Sequence, residues 1–427
     1  MPSDVLAELA WRGMLHQVTD ADLGAKLAAE QLVAYAGFDA TADSLHVGHL
    51  VGVVGLQRLQ QAGHRPIALV GGGTTLIGDP SGKEAERPLL STEEIDANAA
   101  GIRRQLESFL DFGPGPAGGR LVNNADWLRP LRLTEFLRDI GKHFTVNTMI
   151  AKEAVRARLE DREQGISYTE FSYILLQAYD FLHLYDTLGC RLQAGGSDQW
   201  GNITAGIDLI RRVRGGEAYG LTWPLVTKAD GTKFGKTESG VVWLDPARTS
   251  PYQFFQFWVR TDDRDVLRYL RLLTSLDGEA LATLEAQVAG HPERRKAQRV
   301  LATELTTAVH GREAAEAAQR TADALYRGEL AALDEATLLD VFSEAPSTTL
   351  SRVELDGRGL ALVDLAVRTG LAPSRSAART TIAGGGMYLN GRRVTDADYE
   401  VGGADLLAGA YIVLRRGRRS YHLVRFD

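Results

Sequence analysis

The 427-residue sequence contains one cysteine, Cys190, and four methionines. A single thiol excludes an internal disulfide and any zinc site built from several cysteines; it fits a reducing compartment, so a cytoplasmic location is expected. No run approaches about 18 consecutive apolar residues, so no membrane-spanning helix is expected. Residues Met1 to Gly13 lack a basic stretch followed by an apolar core, so no secretory signal is expected either. Internal repeats and low-complexity blocks are missing as well. At 44% hydrophobic and 24% charged residues the composition is that of an ordinary globular chain. Its length suits two to four domains of roughly 100–200 residues each.

The net charge of −7 argues against general nucleic-acid affinity, but it is unevenly placed. Ser351 to Asp427 holds 12 arginines and 8 acidic residues, a net +4 that leaves −11 on the preceding 350 residues. A basic tail on an acidic body suits docking of a polyanion at one end, with a merely solvated charged face as the alternative.

The first 220 or so residues alternate apolar runs that end in glycine or a turn (Leu32–Phe38, Pro66–Val70) with amphipathic stretches such as Leu50–Gln61. This alternation predicts an α/β fold with a Rossmann-like, doubly wound parallel sheet covered by helices on both faces. Ligands of such sheets sit beyond the carboxyl ends of the strands. Arg248 to about Arg327 is helical in pattern, and Glu329–Asp356 loosens into an expected linker with some local helix. Gly359–Asp427 reads as a small α+β module. Its expected elements are helices over Leu362–Thr369 and Ser374–Ala383, a hairpin over Met387–Val394, and strands over Tyr411–Arg415 and Ser420–Phe426. The expected division is therefore 1–225, a loop region 226–247, helices 248–328, a linker 329–357 and a terminal domain 358–427. The glycine-proline stretch Gly113–Gly119 is expected as a surface loop.

Two short segments carry most of the chemical information. His46-Val47-Gly48-His49 places two imidazoles around a glycine at an expected helix start, where unsatisfied N–H groups attract phosphate. Lys233-Phe234-Gly235-Lys236-Thr237 places two ammonium groups around a glycine in a polar loop. Such groups can hold the negative charge that grows on a phosphate under attack. Taken singly, the histidines could be structural and the lysines solvated; the ordered pair is the stronger signal. Other glycine-rich stretches do not compete. Gly78-Asp79-Pro80-Ser81-Gly82-Lys83 is one residue short of a P-loop, with Glu84 where Ser or Thr would bind Mg²⁺. Gly71-Gly72-Gly73 lacks the third glycine of a dinucleotide fingerprint, since position 76 is leucine. Kinase-like and dehydrogenase readings are rejected.

Tyr173, Gln177 and Asp180 recur at i, i+4 and i+7 within Tyr168–Gly189, which puts them on one stripe of a largely buried helix. A carboxylate there needs a donor. A bound phenol hydroxyl, shared with Tyr35 at the end of the first strand, would serve; so would the backbone or another side chain of the protein itself.

The two signature segments resemble the HIGH and KMSKS segments of class I aminoacyl-tRNA synthetases. The stretches Tyr35–Leu45, Leu76–Lys83, Leu175–Phe181 and Gly195–Asn202 make nearly the whole chain similar to the bacterial tyrosyl branch. That resemblance implies a tyrosine–tRNA ligase acting on L-tyrosine, ATP with Mg²⁺ and tRNA(Tyr), working as a homodimer with no protein-bound metal. By the same resemblance Tyr35 and Asp180 read the phenolic hydroxyl, Tyr173, Gln177 and Asp79 hold the α-ammonium group, and Gln193 and Gln199 complete the pocket. Gly37, Asp39, Gly48 and Asp198 cradle the nucleotide, with Asp198 on the ribose. Thr41, His46, His49, Lys233, Lys236 and Thr237 are the implied catalytic set, and Lys83 and Arg87 meet the pyrophosphate. A site built around a substrate hydroxyl, for which this family is itself the usual worked example, rejects phenylalanine without editing. No inserted domain large enough to edit lies between the signatures. The tail resembles a small ribosomal-protein-type RNA-binding domain, which implies RNA contacts from Arg375, Arg379, Arg392 and Arg393. Two departures stand out: Gly52 offers no side chain one turn after His49, and the second signature reads KFGKT. A tryptophanyl-branch ligase and a non-catalytic RNA-binding protein on a synthetase scaffold are the alternatives. Tyr35 with Asp180 argues against the first, and the intact histidines and lysines argue against the second.

Overall fold

The computed structural model describes residues 4–81, 90–152, 155–156, 159, 165–232, 234–237, 240–417 and 420–427, with the side chains of Lys236 and Thr237 left aside. The chain forms two compact units, one of residues 1–249 with 261–301, the other of residues 250–260 with 302–427. Among the described residues no helix is long and apolar enough to cross a membrane.

The first unit is built on a six-stranded sheet in the order β1-β6-β5-β2-β3-β4. Its strands are β1 (Gln17–Val18), β2 (Val33–Asp39), β3 (Arg65–Gly71), β4 (Arg120–Asn123), β5 (Cys190–Gly196) and β6 (Tyr219–Trp223). β2 to β6 run parallel, whereas β1 pairs antiparallel with β6 at the edge. The doubly wound sheet is thus the expected one, with an antiparallel edge added. Two residues of β1 are too short to leave a period-2 pattern in the sequence. After β4 the chain returns to the other side of β2, so β2 and β5 flank the point where strand order reverses. An open α/β sheet has its natural crevice at this point.

Alternation along β2 explains the two layers. Tyr35 points to the side covered by the helices α3 (Tyr168–Leu188) and α4 (Trp200–Arg214), where it joins Ile67, Leu69, Ala178, Phe181 and Leu209 in one core. Phe38, on the other side, lies against α1 (Leu50–Gln61), close to Gly52. The helix α2 (Thr92–Phe109) starts in a capping box, in which the Ser91 hydroxyl accepts from Glu94 N–H and the Glu94 carboxylate accepts from Ser91 N–H.

The second unit holds the helices α5 (Pro251–Val259), α6 (Arg312–Arg327) and α7 (Glu335–Val341), followed by β7 (Ser347–Leu350). Then come α8 (Leu362–Arg368), α9 (Arg375–Ala383), β8 (Met387–Leu389), β9 (Arg392–Val394), β10 (Tyr411–Arg416) and β11 (Ser420–Phe426). Its sheet runs β9-β8-β10-β11-β7. Here the structure departs from the expected linker over 329–357. β7 pairs in parallel with β11, from Ser347 opposite Leu423 to Leu350 opposite Phe426. Leu330, Leu338 and Phe342 pack on Leu407, Tyr411, Val413 and Leu423. The opposite face of that sheet buries Met387, Leu389, Ile412, Leu414 and Val424 against α8 and α9. The terminal sheet needs two apolar covers, and the stretch before it supplies one. Leu338 is 0% exposed. Leu338→Ala is therefore expected to destabilise the second unit by about 2–4 kcal/mol, whereas a residue in a true linker would contribute nothing. Calorimetric melting of the full chain measures the difference.

Candidate active site

A cleft of about 330 Å³ opens in the first unit above the crevice between β2 and β5. It is lined by Tyr35, Gly37, Asp39, Thr41, His46, Gly48, His49, Asp79, Tyr173, Gln177, Asp180, Gln193, Asp198 and Gln199, together with Gly52, Thr74 and Trp223. These sequence-predicted residues therefore share one cavity, although they come from six separate stretches. Lys83, Arg87 and Lys233 lie outside the described residues, as do the side chains of Lys236 and Thr237.

The histidine pair owes its geometry to the backbone. His46 is extended (φ −125°, ψ 170°) and caps the turn Val47–His49, which runs into α1. Gly48 N–H donates to His46 Nδ1 at 3.0 Å, and His46 N–H donates to His49 Nδ1 at 3.1 Å. With both Nδ1 atoms accepting, the neutral rings carry their protons at Nε2. The rings stack with centroids 3.9 Å apart. Glycine between them is a steric requirement, because a Cβ on Gly48 would stand 2.7 Å from His46 Cε1 and 2.9 Å from Nδ1.

The second signature lies directly against the first. Gly235 has φ +82°, a conformation that suits glycine, and a Cβ there would meet Val47 Cγ2 at 2.8 Å. The backbone of Lys236–Thr237 pairs with Gly240–Val241.

On the other side of the cleft, α3 presents Tyr173, Gln177 and Asp180 together, as their spacing predicts. Tyr35 is the third residue of β2 rather than its end, and it stands in register with Gln193 of β5. Among the described residues neither the Tyr35 hydroxyl nor Gln193 Oε1 has a hydrogen-bond partner, and both are buried. Burial and the neighbouring Asp180 charge push the Tyr35 phenol well above its ordinary range. Burial pushes the Asp180 carboxyl up to about 7, despite donation from Asn124 Nδ2 at 2.9 Å and Trp127 Nε1 at 2.7 Å. Of the donors left open by the sequence, side chains of the protein itself are present. Asn124 also accepts from Gly73 N–H and donates to Thr74 Oγ1, which donates to Asp39 Oδ1 at 3.3 Å. A polar chain thus runs from Asp180 to Asp39. Sequence reading missed Asn124 and Trp127; a pair of asparagines just past an apolar strand, where such sheets bind ligands, was the available signal.

Asp79 is held by Ser81 N–H at 2.9 Å and Gln199 Nε2 at 2.7 Å. Asn202 donates to Gln199 Oε1 and to Gln177 Oε1, at 3.1 and 3.0 Å. Asn202 therefore orients two expected substrate ligands without being one of them. Among the described residues no group of three or more His, Cys, Asp or Glu is placed to hold a metal ion.

In the second unit, Arg375 and Arg379 pair with Asp364 at 3.0 Å and Asp398 at 2.9 Å, and Arg392 is exposed. Arg393 differs, because its guanidinium donates to the carbonyls of Gly385 and Gly384, just past the end of α9. The guanidinium of Arg415 lies 3.7 Å from the centroid of the Tyr388 ring.

The family described as tRNA synthetases class I (W and Y) matches residues 27–327, and the tyrosine–tRNA ligase SYY-like C-terminal domain matches residues 338–424. The chain is 56% identical over 421 residues to the tyrosine–tRNA ligase of Roseiflexus castenholzii, covering 99% of each. It is 53% identical over 425 residues to that of Geobacillus stearothermophilus, covering 99% of this chain and 100% of the other. Among solved structures, a C-terminally truncated mitochondrial tyrosyl-tRNA synthetase of Aspergillus nidulans has a TM-score of 0.69 at 31% identity, over 76% of this chain and 94% of that one. The chain belongs to the class I aminoacyl-tRNA synthetases, in the group that unites the tryptophanyl and tyrosyl enzymes. Within that group it falls with the bacterial tyrosyl-tRNA synthetases, and its function is that of a tyrosine–tRNA ligase using ATP.

Gly48→Ala is expected to lower tyrosine-dependent ATP–pyrophosphate exchange by about 10²–10³-fold, the loss typical of one misplaced transition-state donor. Unchanged exchange would mean that the position of the His46 ring does not matter to the chemistry.

Proposed function

We propose that tyrosine lies with its phenol between Tyr35 and Asp180, its ammonium group on Tyr173, Gln177 and Asp79, and its carboxylate towards ATP. Gln193 and Gln199 complete that pocket. The observation that carries this reading is the buried Tyr35 hydroxyl, which has no partner among the described residues, in the same cleft as the Asp180 carboxyl that titrates at about 7. A substrate hydroxyl gives both groups a partner.

ATP enters as its Mg²⁺ complex and occupies the side lined by Gly37, Asp39, Thr41, Gly48 and Asp198, the last on the ribose. With an α-carboxyl pKa of about 3.3–3.7 the nucleophile is ionised at neutral pH, so no general base is needed. The reaction then depends on positioning and on charge stabilisation at the α-phosphate. Thr41, the Nε2–H groups of His46 and His49, and Lys233, Lys236 and Thr237 supply that stabilisation, and Lys83 and Arg87 meet the departing pyrophosphate. Tyrosyl-adenylate then yields its tyrosyl group to the 3′-terminal adenosine of tRNA(Tyr). Residues 248–328 face the tRNA on its anticodon side, and residues 358–427 bind RNA through Arg375, Arg379 and Arg392, with Arg393 holding the end of α9.

The enzyme works in the cytoplasm as a homodimer. Leu133, Val146 and Tyr168, at 71, 58 and 74% exposure, support the dimer, since large apolar side chains so open to water suit a partner surface. Val146→Glu should yield a monomer in sedimentation analysis; an unchanged dimer would move the interface elsewhere.

ATP–pyrophosphate exchange with tyrosine, phenylalanine and tryptophan tests the site, and tyrosine alone should support it. The phenol donates to ionised Asp180, so the bound form holds fewer protons than the free protein. Tyrosine affinity should then weaken as pH falls below about 7, approaching tenfold per pH unit, and Asp180→Asn should flatten the profile. Equilibrium dialysis between pH 5.5 and 8.5, values bracketing that pKa by about 1.5 units each way, would refute the contact if affinity stayed level.

A further inference from the structure

Outside the cleft, the helix Asp263–Leu273 grips the segment that leads into the second signature. The buried Asp265 carboxylate accepts from Ala229 N–H at 3.0 Å. Tyr269 Oη donates to the Thr227 carbonyl at 3.3 Å, and Arg268 Nη1 donates to the same oxygen at 3.4 Å. The Tyr269 ring lies 4.9 Å from that of Phe234, which is itself buried. The next residue, Gly235, rests on Val47 of the first signature. Phe234-Gly235 is thus seated between a supporting helix on one side and the histidine turn on the other. All of these residues belong to one compact unit.

The energetics favour a defined seat. If residues 227–229 moved away, Asp265 would lose its donor while remaining desolvated, and the Thr227 carbonyl would lose two. Neither Asp265 nor Tyr269 lines the cleft.

We propose that Asp265 and Tyr269 are positioning residues for the adenylation step. They hold the stem Thr227–Ala229 and the Phe234 ring so that the lysines on either side of Phe234-Gly235 reach the developing charge on the phosphate. The inference rests on the reading of Lys233 and Lys236 given above.

The test is the rate of tyrosyl-adenylate formation in single turnovers of the full-length enzyme, with tyrosine dissociation constants measured alongside. Tyr269→Ala and Asp265→Ala are expected to slow the step about 10–100-fold, with tyrosine affinity changed less than about twofold. Tyr269→Phe keeps the ring contact and should lose no more than about fivefold. In a Lys233→Ala/Lys236→Ala background the further effect of Tyr269→Ala should shrink to about twofold, because the groups being positioned are gone. Should Tyr269→Ala not fold, Tyr269→Leu carries the same comparison. Losses that multiply fully with the lysine substitutions, or that fall equally on tyrosine affinity, overturn the proposal. If the unaltered enzyme forms tyrosyl-adenylate and the variants match its rate, only the positioning role falls. If the unaltered enzyme forms none, the reading of the site falls first.

Discussion

The cleft depends on a short backbone pairing between stretches almost 200 residues apart. Val47 N–H donates to the Val242 carbonyl at 3.0 Å, and Leu244 N–H donates to the Leu45 carbonyl at 2.8 Å. His46 and Trp243 form the antiparallel bridge between these bonds. The pairing keeps His46 extended, and an extended His46 can turn its ring back over Gly48 N–H. From that bond follow the tautomer of His46 and the need for glycine at position 48, while the bond from His46 N–H to His49 Nδ1 holds the second ring beside the first. Val242 N–H also donates to the Gly235 carbonyl at 3.1 Å, so the same ribbon draws the second signature to the first. A constraint made of main-chain atoms holds whatever side chains the ribbon bears.

The second determinant is electrostatic. A carboxylate as buried as Asp180 would be protonated at neutral pH without help, and Asn124 and Trp127 are the help. They bring its titration only to about 7, not to the ordinary carboxylate range. The group is left half-committed, able to accept from an incoming hydroxyl but not fully satisfied by the protein. Asp79 is treated differently, because Gln199 and Ser81 N–H hold it firmly before any ligand arrives. The two carboxylates therefore differ: Asp79 is already held by two donors, whereas burial keeps Asp180 at about 7 despite its two.

Much of this was legible in the sequence because it rests on period and spacing. Residues 173, 177 and 180 share a helix stripe by arithmetic, and the helix Leu50–Gln61 and the strands of the terminal module lie within a residue or two of their patterns. What stayed hidden depends on tertiary partners. β7 looks like linker because Ser347–Leu350 has no strong alternation and becomes a strand only beside β11. The role of Arg393 is hidden because its acceptors are carbonyls, which any sequence supplies. Trp127 and Asn202 act on other side chains, and composition gives such orienting residues no mark.

Beyond that ribbon, the two signatures are also supported by a pair of helices joined at one end. α1 carries His46–His49 at its start and Arg58 in its last turn. Arg58 is buried, and desolvation lowers its pKa to about 10, which leaves it charged at neutral pH. It donates to Glu8 and to the carbonyl of Thr274, the residue that ends the helix Asp263–Leu273. Arg12 donates to the same carbonyl and to that of Leu276. Two cations thus meet the negative end of the helix that supports the KFGKT segment. Charge-assisted bonds of this kind are worth about 1.5–3 kcal/mol each, so sliding one helix past the other would break several at once. Residues 228–232 form a turn closed by Lys228 N–H on the Thr232 carbonyl and Thr232 N–H on Asp230, and Ala229 N–H ties it to Asp265 of that supporting helix. The turn that precedes the second signature is thereby tied to the same helix that the arginines hold against α1.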